Sequence, residues 1–204
     1  MTKKRICLAI TGASGFQYGL RLLQVLLQNH CEVNLLISDA AREVARLEAD
    51  ILLPQDIKEL HQQLLANLAQ TDNGLLKCFG KTDWLSPVAS GSSQLDAMVV
   101  CPCSTGTLSS IANGQSNNLI ERAATVCLKE NRTMIIVPRE MPLSAIQLEH
   151  MHKLALMGVK ILPASPGFYQ KPSSIDDIID FVVARILMQL GLPQTLLAQW
   201  GLND

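Results

Sequence analysis

The stretch between Thr11 and Gly19 has the residue types of a phosphate-binding turn. It reads T-G-A-S-G-F-Q-Y-G and lies between a short apolar run and a helical pattern. Turns of this kind attract anions because free backbone N–H groups and the positive end of the helix face the same point. Glycines stand at positions 12, 15 and 19, whereas a dinucleotide fingerprint needs G-x-G-x-x-G. The stretch predicts a bound phosphate, but its spacing departs from the dinucleotide pattern.

Small polar residues follow each of five apolar runs that we interpret as strands. The five ends read TGASG, SDAAR, PCSTGT, PREMP and PASPGFYQKP. A single Ser or Thr after a strand usually only caps the next helix. In an open parallel sheet, however, the ligand lies beyond the carboxyl ends of the strands. Five polar ends together, the fourth with Arg139 beside Glu140, therefore predict a polar ligand site at that edge.

Two cations on one helical stretch are candidates for binding an anion. Arg122 and Lys129 are seven residues apart, so they lie within about 20° on one helix face and roughly 10 Å apart. A solvated cationic edge is the alternative interpretation. Against it, the opposite face carries apolar residues for the core, namely Ile120, Ala124, Cys127 and Leu128. Tyr169 and Arg185 add a phenol and a cation from the last third of the chain, and together the four predict a phosphate clamp.

The sequence favours a protein without a metal site. D-D-I-I-D, from Asp176 to Asp180, matches a pattern that holds magnesium pyrophosphate in some prenyl-transferring enzymes. We interpret it as a helix start, because Ser174 precedes it as an N-cap candidate and acids in a first turn complement the helix dipole. The six cysteines form no C-x-x-C pair, so we interpret them as small buried hydrophobes.

Composition restricts the location and the partners. The 204 residues carry a net charge of −1, which argues against a nucleic-acid partner. With 48% hydrophobic and 17% charged residues the chain is apolar, yet no run approaches the roughly 20 apolar residues of a membrane span. The amino-terminal apolar stretch is also too short for a signal peptide. We expect a cytoplasmic protein that makes no membrane contact and hides apolar surface in a homo-oligomer.

Alternation of apolar runs with helical periodicity predicts the fold class. We expect an α/β fold of three α/β/α layers around a doubly wound parallel sheet, Rossmann-like or flavodoxin-like. The predicted strands are Ile6–Thr11, Glu32–Ser38, Ala97–Pro102, Thr133–Pro138 and Val159–Pro163. The predicted helices are Phe16–Gln28, Ala40–Leu52, Thr107–Asn113, Leu119–Asn131, Leu143–Met157 and Ile175–Leu190.

Two stretches fall outside this alternation. Residues 1–204 are expected to form one domain, and Gln70–Gln94, which has no periodicity, is expected to be a surface excursion. A tail of about residues 191–204 is expected to dock Trp200 on a neighbouring subunit.

Several of these segments together resemble one family. The chain is similar almost end to end to the flavin prenyltransferases, the UbiX-like members of the flavoprotein superfamily. The segments that carry the resemblance are TGASG, LISDAAR, ASGSSQLDAMVVCPCSTGTLSSIANG, NNLIERAATVCLKE, VPREMPL and PGFYQKPSSIDDIIDFVVARIL.

The resemblance implies a reaction and its partners. Such enzymes join a dimethylallyl group from dimethylallyl monophosphate to N5 and C6 of reduced FMN, close a fourth ring and release phosphate without a metal. The product, prenylated FMN, serves a UbiD-type decarboxylase, as in ubiquinone biosynthesis. Members form homododecamers with active sites at subunit boundaries.

The resemblance also implies residue roles, matched position by position. FMN would be held by Gly12, Ala13, Ser14, Ser38, Ser104, Thr105, Gly106, Thr107 and Arg139. Dimethylallyl phosphate would be held by Trp84, Arg122, Lys129, Glu140, Tyr169 and Arg185. Catalysis would fall to Ser14, Glu48, Glu140 and Lys129. Fixed cations in a site that excludes water would stabilise the leaving phosphate, while the carboxylates and Ser14 would move protons.

Three other classes were weighed against this interpretation. A short-chain dehydrogenase would explain the first turn and Asp39, but it needs Tyr-x-x-x-Lys, and Tyr18 and Tyr169 are followed at that spacing by Leu22 and Ser173. A flavin-dependent cysteine decarboxylase of the same superfamily shares the fold and FMN, but does not account for the four clamp residues. A non-catalytic FMN carrier differs only in forming no product.

Overall fold

Six parallel strands form one sheet in this computed structural model, which describes residues 3–198. The strands are β1 (Arg5–Ile10), β2 (Glu32–Ile37), β3 (Leu76–Phe79), β4 (Ala97–Cys103), β5 (Thr133–Pro138) and β6 (Lys160–Ile161). Their order across the sheet is β3-β2-β1-β4-β5-β6. The order reverses between β1 and β4, and in doubly wound sheets this crossing is where ligands bind.

Seven α-helices connect the strands and cover both faces within the described residues. They are α1 (Phe16–Gln28), α2 (Asp39–Ala49), α3 (Ile57–Asn67), α4 (Thr105–Ala112), α5 (Leu119–Lys129), α6 (Ala145–Leu156) and α7 (Ile175–Gln189). A short 3₁₀ turn spans Pro87–Ala89. The central strands are apolar along almost their whole length because helices bury both sides of them.

Two hydrophobic cores separate the helices into two layers. One core joins α1, α2, α3 and α7 to one face of the sheet, with Leu22, Leu64 and Ile186 almost fully buried. The other joins α4, α5 and α6 to the opposite face, with Leu108 and Cys127 inside it. The predicted three-layer, doubly wound fold is confirmed. None of the described helices is long and apolar enough to cross a membrane.

Polar side chains cap most of the helices where the sequence suggested. The α7 cap shows the meaning of D-D-I-I-D: the Ser174 hydroxyl accepts the N–H of Asp177, and the Asp177 carboxylate accepts the N–H groups of Ser173 and Ser174. These hydrogen bonds lower the pKa of Asp177. The interpretation of the motif as a helix start is confirmed.

The structure corrects the predicted elements in the first half of the chain. Gln70–Gln94 is not only a surface excursion, because it contains the edge strand β3 and the 3₁₀ turn. Helix α3 was not predicted at all. Strand β3 lies at the edge of the sheet and pairs with β2 alone. It has only four residues, which are too few to show an alternation of apolar and polar side chains.

Differences also occur toward the carboxyl end. The fifth predicted strand shrinks to two paired residues, Lys160 and Ile161. Residues 191–198 form no helix, and Leu192 and Leu196 pack on the chain's own core. Trp200 and the rest of the predicted docking tail lie outside the described residues.

Candidate functional site

The carboxyl ends of β1 and β4 are tied together at the crossing point. Thr11 is only 1% exposed, and its hydroxyl donates to the Pro102 carbonyl at 2.9 Å while accepting the Ser104 N–H at 2.8 Å. Its own N–H also donates to Pro102 O. These bonds fix the turn after β1 relative to the start of α4. The two turns with the most predicted site residues are therefore held side by side.

Glu48 occupies the N-terminus of α1, the position where the first turn was expected to bind a phosphate. Its Oε2 accepts the N–H of Gly15 at 2.8 Å and the N–H of Phe16 at 3.3 Å. Burial acts to raise the pKa of Glu48, but hydrogen bonds from the Ser14 side chain and both N–H groups, with the charge of Arg139, lower it overall. The α1 terminus is thus satisfied by an ionised carboxylate that also holds Ser14.

Arg139 extends the site from the end of β5. Its N–H donates to Cys103 O at 3.4 Å, and its side chain is half-buried. Its positive charge lowers the pKa of Glu48 and opposes the rise in the pKa of Tyr18, so the guanidinium lies near both side chains. Within the described residues its Nε is buried without a hydrogen-bond partner. A buried guanidinium nitrogen with no partner is expected to bind a group supplied from outside the chain.

Tyr18 was not predicted as a site residue. Its ring lies against Gly15, where an added Cβ would come within 2.6 Å of the ring. Burial raises the pKa of Tyr18, as does Cys101, while Arg139 opposes that effect. Tyr18 follows Gly15 by three residues, about one helical turn. That spacing, which brings the ring back over the glycine turn, is the signal in the sequence that could have identified it.

The N-terminus of α4 offers the open space that α1 lacks. Ser104 caps α4, with its hydroxyl 3.3 Å from the Thr107 N–H and 3.0 Å from the Thr107 hydroxyl. A Cβ added at Gly106 would meet no heavy atom within 4 Å. Free N–H groups at a helix start facing open space are suited to a phosphate. Thr105 and Ala13 lie beside them, half-buried and buried respectively.

A cavity of about 330 Å³ joins the ends of β2 and β4. It brings together Ser38 and Thr107, two residues predicted to contact FMN. Sequence reasoning did not find its other lining residues, which are Asp39, Lys81, Asn117, Asn118, Ile120 and Glu121. Lys81 donates to Asp39 at 2.6 Å, so a cation lies at the cavity wall. An open helix start, an orphaned guanidinium and this polar cavity fit a planar phosphorylated group such as FMN.

The cations of α5 lie against the loop after the 3₁₀ turn. Arg122 Nε donates to Ala89 O at 3.0 Å, and Lys129 Nζ donates to Glu130 Oε1 at 2.8 Å. Lys129 and Glu130 both press on Gly91, where a Cβ would lie 2.9 Å from the ammonium and 2.2 Å from the carboxylate. Both α5 cations lie beside the segment 89–91, as expected for two residues on one helix face. Each of them, however, already has a hydrogen-bond partner within the chain.

The four proposed clamp residues are not brought together by one chain. Arg122 and Lys129 belong to α5, in the layer with α4 and α6, whereas Arg185 belongs to α7, packed on α1 across the sheet. Tyr169 packs its ring edge on Phe181 of α7, with centroids 5.7 Å apart. Within one chain, the predicted clamp residues are therefore divided between the two helix layers.

Two further predicted residues lie at the carboxyl edge of the sheet. Glu140 is exposed after β5, and its carboxylate accepts the N–H of Met141 at 3.1 Å. Trp84 is 46% exposed beyond β3 and lines an apolar cavity of about 480 Å³ with Phe79 and Leu85. It lies at the edge strand, two strands away from the crossing between β1 and β4.

Two of the three aspartates of D-D-I-I-D have structural partners. Asp180 receives two hydrogen bonds from Arg21 of α1, at 2.7 and 3.0 Å, and Asp177 caps α7. Among residues 3–198, no group of three or more His, Cys, Asp or Glu side chains is arranged to hold a metal ion.

Comparison with known proteins places this geometry among flavoproteins. The family model described as Flavoprotein matches residues 1–187. The flavin prenyltransferase UbiX of Pseudomonas aeruginosa is 55% identical over 198 residues, covering 97% of this chain and 94% of that protein.

Two solved structures have the same fold over nearly the whole chain. A structure of AnUbiX (PadA1) in complex with FMN and dimethylallyl pyrophosphate has a TM-score of 0.87 and 35% identity, and covers 98% of both chains. A dodecameric FMN-dependent UbiX-like decarboxylase from Escherichia coli O157:H7 has a TM-score of 0.82 and 38% identity, and covers 93% of this chain and 96% of that one.

Proposed function

Because this chain belongs to the flavin prenyltransferases of the flavoprotein family, we propose that it transfers a dimethylallyl group from dimethylallyl monophosphate to N5 and C6 of reduced FMN. The observation that carries the proposal is the arrangement at the crossing of β1 and β4. There an ionised Glu48 holds Ser14, and Arg139 presents an unpaired nitrogen beside the open α4 terminus.

The α4 terminus and the cavity beside it hold the acceptor. Ser104, Thr105, Gly106 and Thr107 bind the FMN phosphate through backbone N–H groups and hydroxyls. Ser38 contributes from the other wall of the cavity, where it lies near Thr107. Arg139 supplies its free nitrogen to the ring. Gly12 and Ala13, in the turn after β1, contact the flavin from the other side of the crossing point.

Ser14 and Glu48 manage the proton that the acceptor loses. Bound reduced FMN supplies the two nucleophilic ring atoms. The Ser14 hydroxyl is oriented by Glu48, whose low pKa keeps it ionised near neutral pH. An ionised carboxylate behind a hydroxyl accepts a proton through it, which is general base catalysis. Glu140 lies at the same edge of the sheet and would help to remove the second proton that the flavin ring loses.

The donor phosphate is gripped by cations from more than one subunit. Arg122 and Lys129 line the loop at Gly91, and Arg185 and Tyr169 reach the same phosphate from a neighbouring chain, with Trp84 beside the prenyl group. Fixed cations in a site closed to water stabilise the charge of a departing phosphate. Their separation across the sheet within one chain supports this arrangement.

We propose a homododecamer as the functional assembly. Helix α6 exposes several large apolar side chains among its polar ones, and so do the residues just before and after it. The exposed apolar residues there are Met141, Leu143, Ile146, Leu148, Leu156 and Met157. A surface of this kind indicates a subunit interface, and the similar Escherichia coli protein is dodecameric.

The remaining aspects of the function follow the family. We propose that transfer needs no metal, because two of the three aspartates of D-D-I-I-D are engaged, Asp177 in helix capping and Asp180 in the pair with Arg21. We propose a cytoplasmic location, which six free cysteines support, since thiols persist in a reducing compartment. The product would be passed to a UbiD-type decarboxylase, as in ubiquinone biosynthesis.

Mass spectrometry of the flavin tests the proposal. The protein is incubated anaerobically with reduced FMN and dimethylallyl monophosphate in the presence of EDTA. We expect the flavin mass to rise by one prenyl unit, with one phosphate released for each flavin modified. Replacing FMN by NADPH should give no binding. FMN that binds tightly but keeps its mass would contradict the prenyltransferase assignment.

A direct decarboxylase is the second candidate, because the similar Escherichia coli structure carries that name. It predicts carbon dioxide release from an aromatic acid in the presence of FMN alone, with no change in flavin mass. The buried thiols do not support cysteine-based chemistry, since burial raises the pKa of Cys7, Cys101 and Cys103. The same incubation with an aromatic acid added, and with both carbon dioxide and the flavin mass measured, separates the two activities.

A further inference from the structure

A second polar cavity lies at the amino ends of the strands, at the opposite edge from the candidate active site. Its volume is about 230 Å³, and it lies between the sheet and the segment 87–95. We call it the Asn34 cavity, after the residue that lines it from the middle of β2. Its polar lining residues are Arg5, Glu32, Asn34, Lys77, Ser93 and Gln94.

Asn34 is the unusual residue of this cavity. It is 8% exposed in β2, where all the other residues after Glu32 are apolar. Val33 and Leu35, on either side of it, face the opposite side of the sheet. Its carboxamide makes no hydrogen bond to any side chain or backbone group of residues 3–198. Buried amides are almost always hydrogen-bonded, because leaving one unpaired is costly. The carboxamide lines the cavity, so a group that enters the cavity can pair with it.

The charges around Asn34 define the kind of partner. Arg5 Nε is 3.2 Å from Glu32 Oε2, and its Nη1 donates to Gln94 at 2.6 Å, so Glu32 is already engaged. The Arg5 Nη2 group and the Lys77 ammonium make no ion pair or hydrogen bond within the described part of the chain. Strand register sets Lys77 directly beside Asn34. The cavity thus combines free N–H donors with an excess of positive charge.

We propose that the Asn34 cavity is a binding site for a small oxyanion, of the chemical class of inorganic phosphate and short carboxylates. Three donors converge there from three elements: the amide of Asn34, the ammonium of Lys77 and the free guanidinium nitrogen of Arg5. Charged donors of this kind pair strongly with anionic oxygens. The volume admits an anion of a few heavy atoms together with water, and excludes a nucleotide.

The segment 87–95 separates this cavity from helix α5 and its cations. On its far side, Arg122 holds Ala89 O and Arg132 holds Gly91 O and Ser93 O, the latter two at 2.6 Å. An anion in the Asn34 cavity and the substrate phosphate would therefore contact opposite sides of one segment. A binding experiment must distinguish the two sites.

Equilibrium dialysis with radiolabelled inorganic phosphate tests the site. The protein is first saturated with FMN, and Lys129→Met is introduced to disable the substrate clamp. We expect about one phosphate bound per chain in this background, and at least about a tenfold weaker affinity when Asn34→Leu or Lys77→Met is added. Lys58→Met, an exposed lysine of α3, is the matched control and should leave the affinity unchanged. Acetate should displace the bound phosphate, because short carboxylates belong to the proposed ligand class.

Two results would overturn the proposal. One is no phosphate binding in the Lys129→Met background, and the other is the same affinity with and without the Asn34 and Lys77 substitutions, which indicates an adventitious ion only. If Asn34→Leu fails to retain FMN, Lys77→Met at the exposed rim decides the question. Prenyl transfer is measured separately, so a protein that binds phosphate here but transfers no prenyl group refutes the proposed activity and leaves this site standing.

Discussion

Glu48 links two successive helices, since from the last turn of α2 its carboxylate accepts the N–H groups that begin α1. A carboxylate at this position compensates the positive end of the helix as a phosphate would. The anion expected at the first turn is therefore supplied by the chain itself. This leaves the α4 terminus for the flavin phosphate and gives Ser14 an ionised neighbour.

Glu48→Gln keeps the shape of this contact and removes the charge. We expect prenyl transfer to slow by about a hundredfold or more, because general base assistance is lost, while FMN affinity changes little. A lowered pKa means that ionised Glu48 stabilises the fold above its unfolded pKa, and that this stability is lost as pH falls through the lower folded value. Urea unfolding should show the wild type more stable than the variant at pH 7, with the difference vanishing at strongly acidic pH. An equal difference at both pH values would contradict an ionised Glu48.

Gly106→Ala tests the assignment of the α4 terminus to FMN. A Cβ at this position meets nothing in the chain, so the apoprotein should keep its stability or gain up to about 1 kcal/mol of helix propensity. If FMN packs there, the methyl group overpacks the complex, and the affinity should fall by about tenfold. Fluorescence titration of FMN measures the affinity.

Gly12→Ala is the contrasting variant, because its Cβ would lie 2.4 Å from the Cβ of Ala40. It should destabilise the apoprotein itself by about 1–3 kcal/mol. Undiminished FMN binding by Gly106→Ala would remove α4 from the proposed flavin site.

Lys129→Met tests the phosphate clamp at a single cation. The substitution keeps the aliphatic stem and removes the charge. Losing one electrostatic donor in a closed site costs about 3 kcal/mol of transition-state stabilisation, so transfer should be roughly a hundredfold slower. FMN affinity should stay at the wild-type value. Single-turnover kinetics measure the rate, and Lys58→Met is the control. A near-normal rate would indicate that Arg122 and Lys129 form only a solvated cationic edge and bind no substrate phosphate.

At the scale of elements, α7 is positioned by its first turn and by its contact with α1. The cap at Ser174 and the pair between Arg21 and Asp180 account for all the hydrogen bonds shown by the D-D-I-I-D acids. The side chains of that pair are about a quarter exposed, at 31% and 23%. Partly buried pairs of this geometry add modest stability.

Asp180→Asn should therefore affect stability and not chemistry. We expect the free energy of unfolding to fall by about 1 kcal/mol, with the rate of prenyl transfer unchanged in the presence and absence of EDTA. Asp176→Asn, which removes an exposed acid from the same turn, should change neither quantity. Activity that EDTA abolishes and magnesium restores would show that the motif binds a metal in function.

At the scale of the whole molecule, the cations assigned to one substrate lie in two layers separated by the sheet. Arg122 and Lys129 are on the α5 side, and Arg185 is on the α7 side. Closed symmetric assembly is the simplest way to bring two such surfaces of identical chains together. The exposed apolar residues around α6 supply the surface for that assembly.

Mixed assemblies test this arrangement. Lys129→Met and Arg185→Met should each be nearly inactive alone. Co-expressed in equal amounts, they should recover about a quarter of wild-type activity, since a site built from two chains is intact when each chain supplies its unaltered residue. Activity is measured on assemblies purified through a different tag on each variant. No recovery would place both residues in the site of one chain.

The fold and the serine caps at the starts of its helices were predictable because they depend on local rules. Buried strands covered on both faces are nearly all apolar, and serine before a helix caps it, as Ser38, Ser104 and Ser174 do. The short edge strand β3 was not predicted, and the two-residue strand β6 was predicted too long. So few paired residues leave no periodic signal in the sequence.

What the sequence by itself determined was the class of fold, the polar edge of the sheet and the meaning of D-D-I-I-D as a helix start. Only the tertiary structure decided that Glu48 fills the first turn, that Arg139 lies near it with a free nitrogen, and that the clamp residues lie in two layers. These facts depend on which surfaces pack together across dozens of residues. Charge and spacing along one helix set the direction of a side chain, but the sheet between two helices decides whether their side chains can meet.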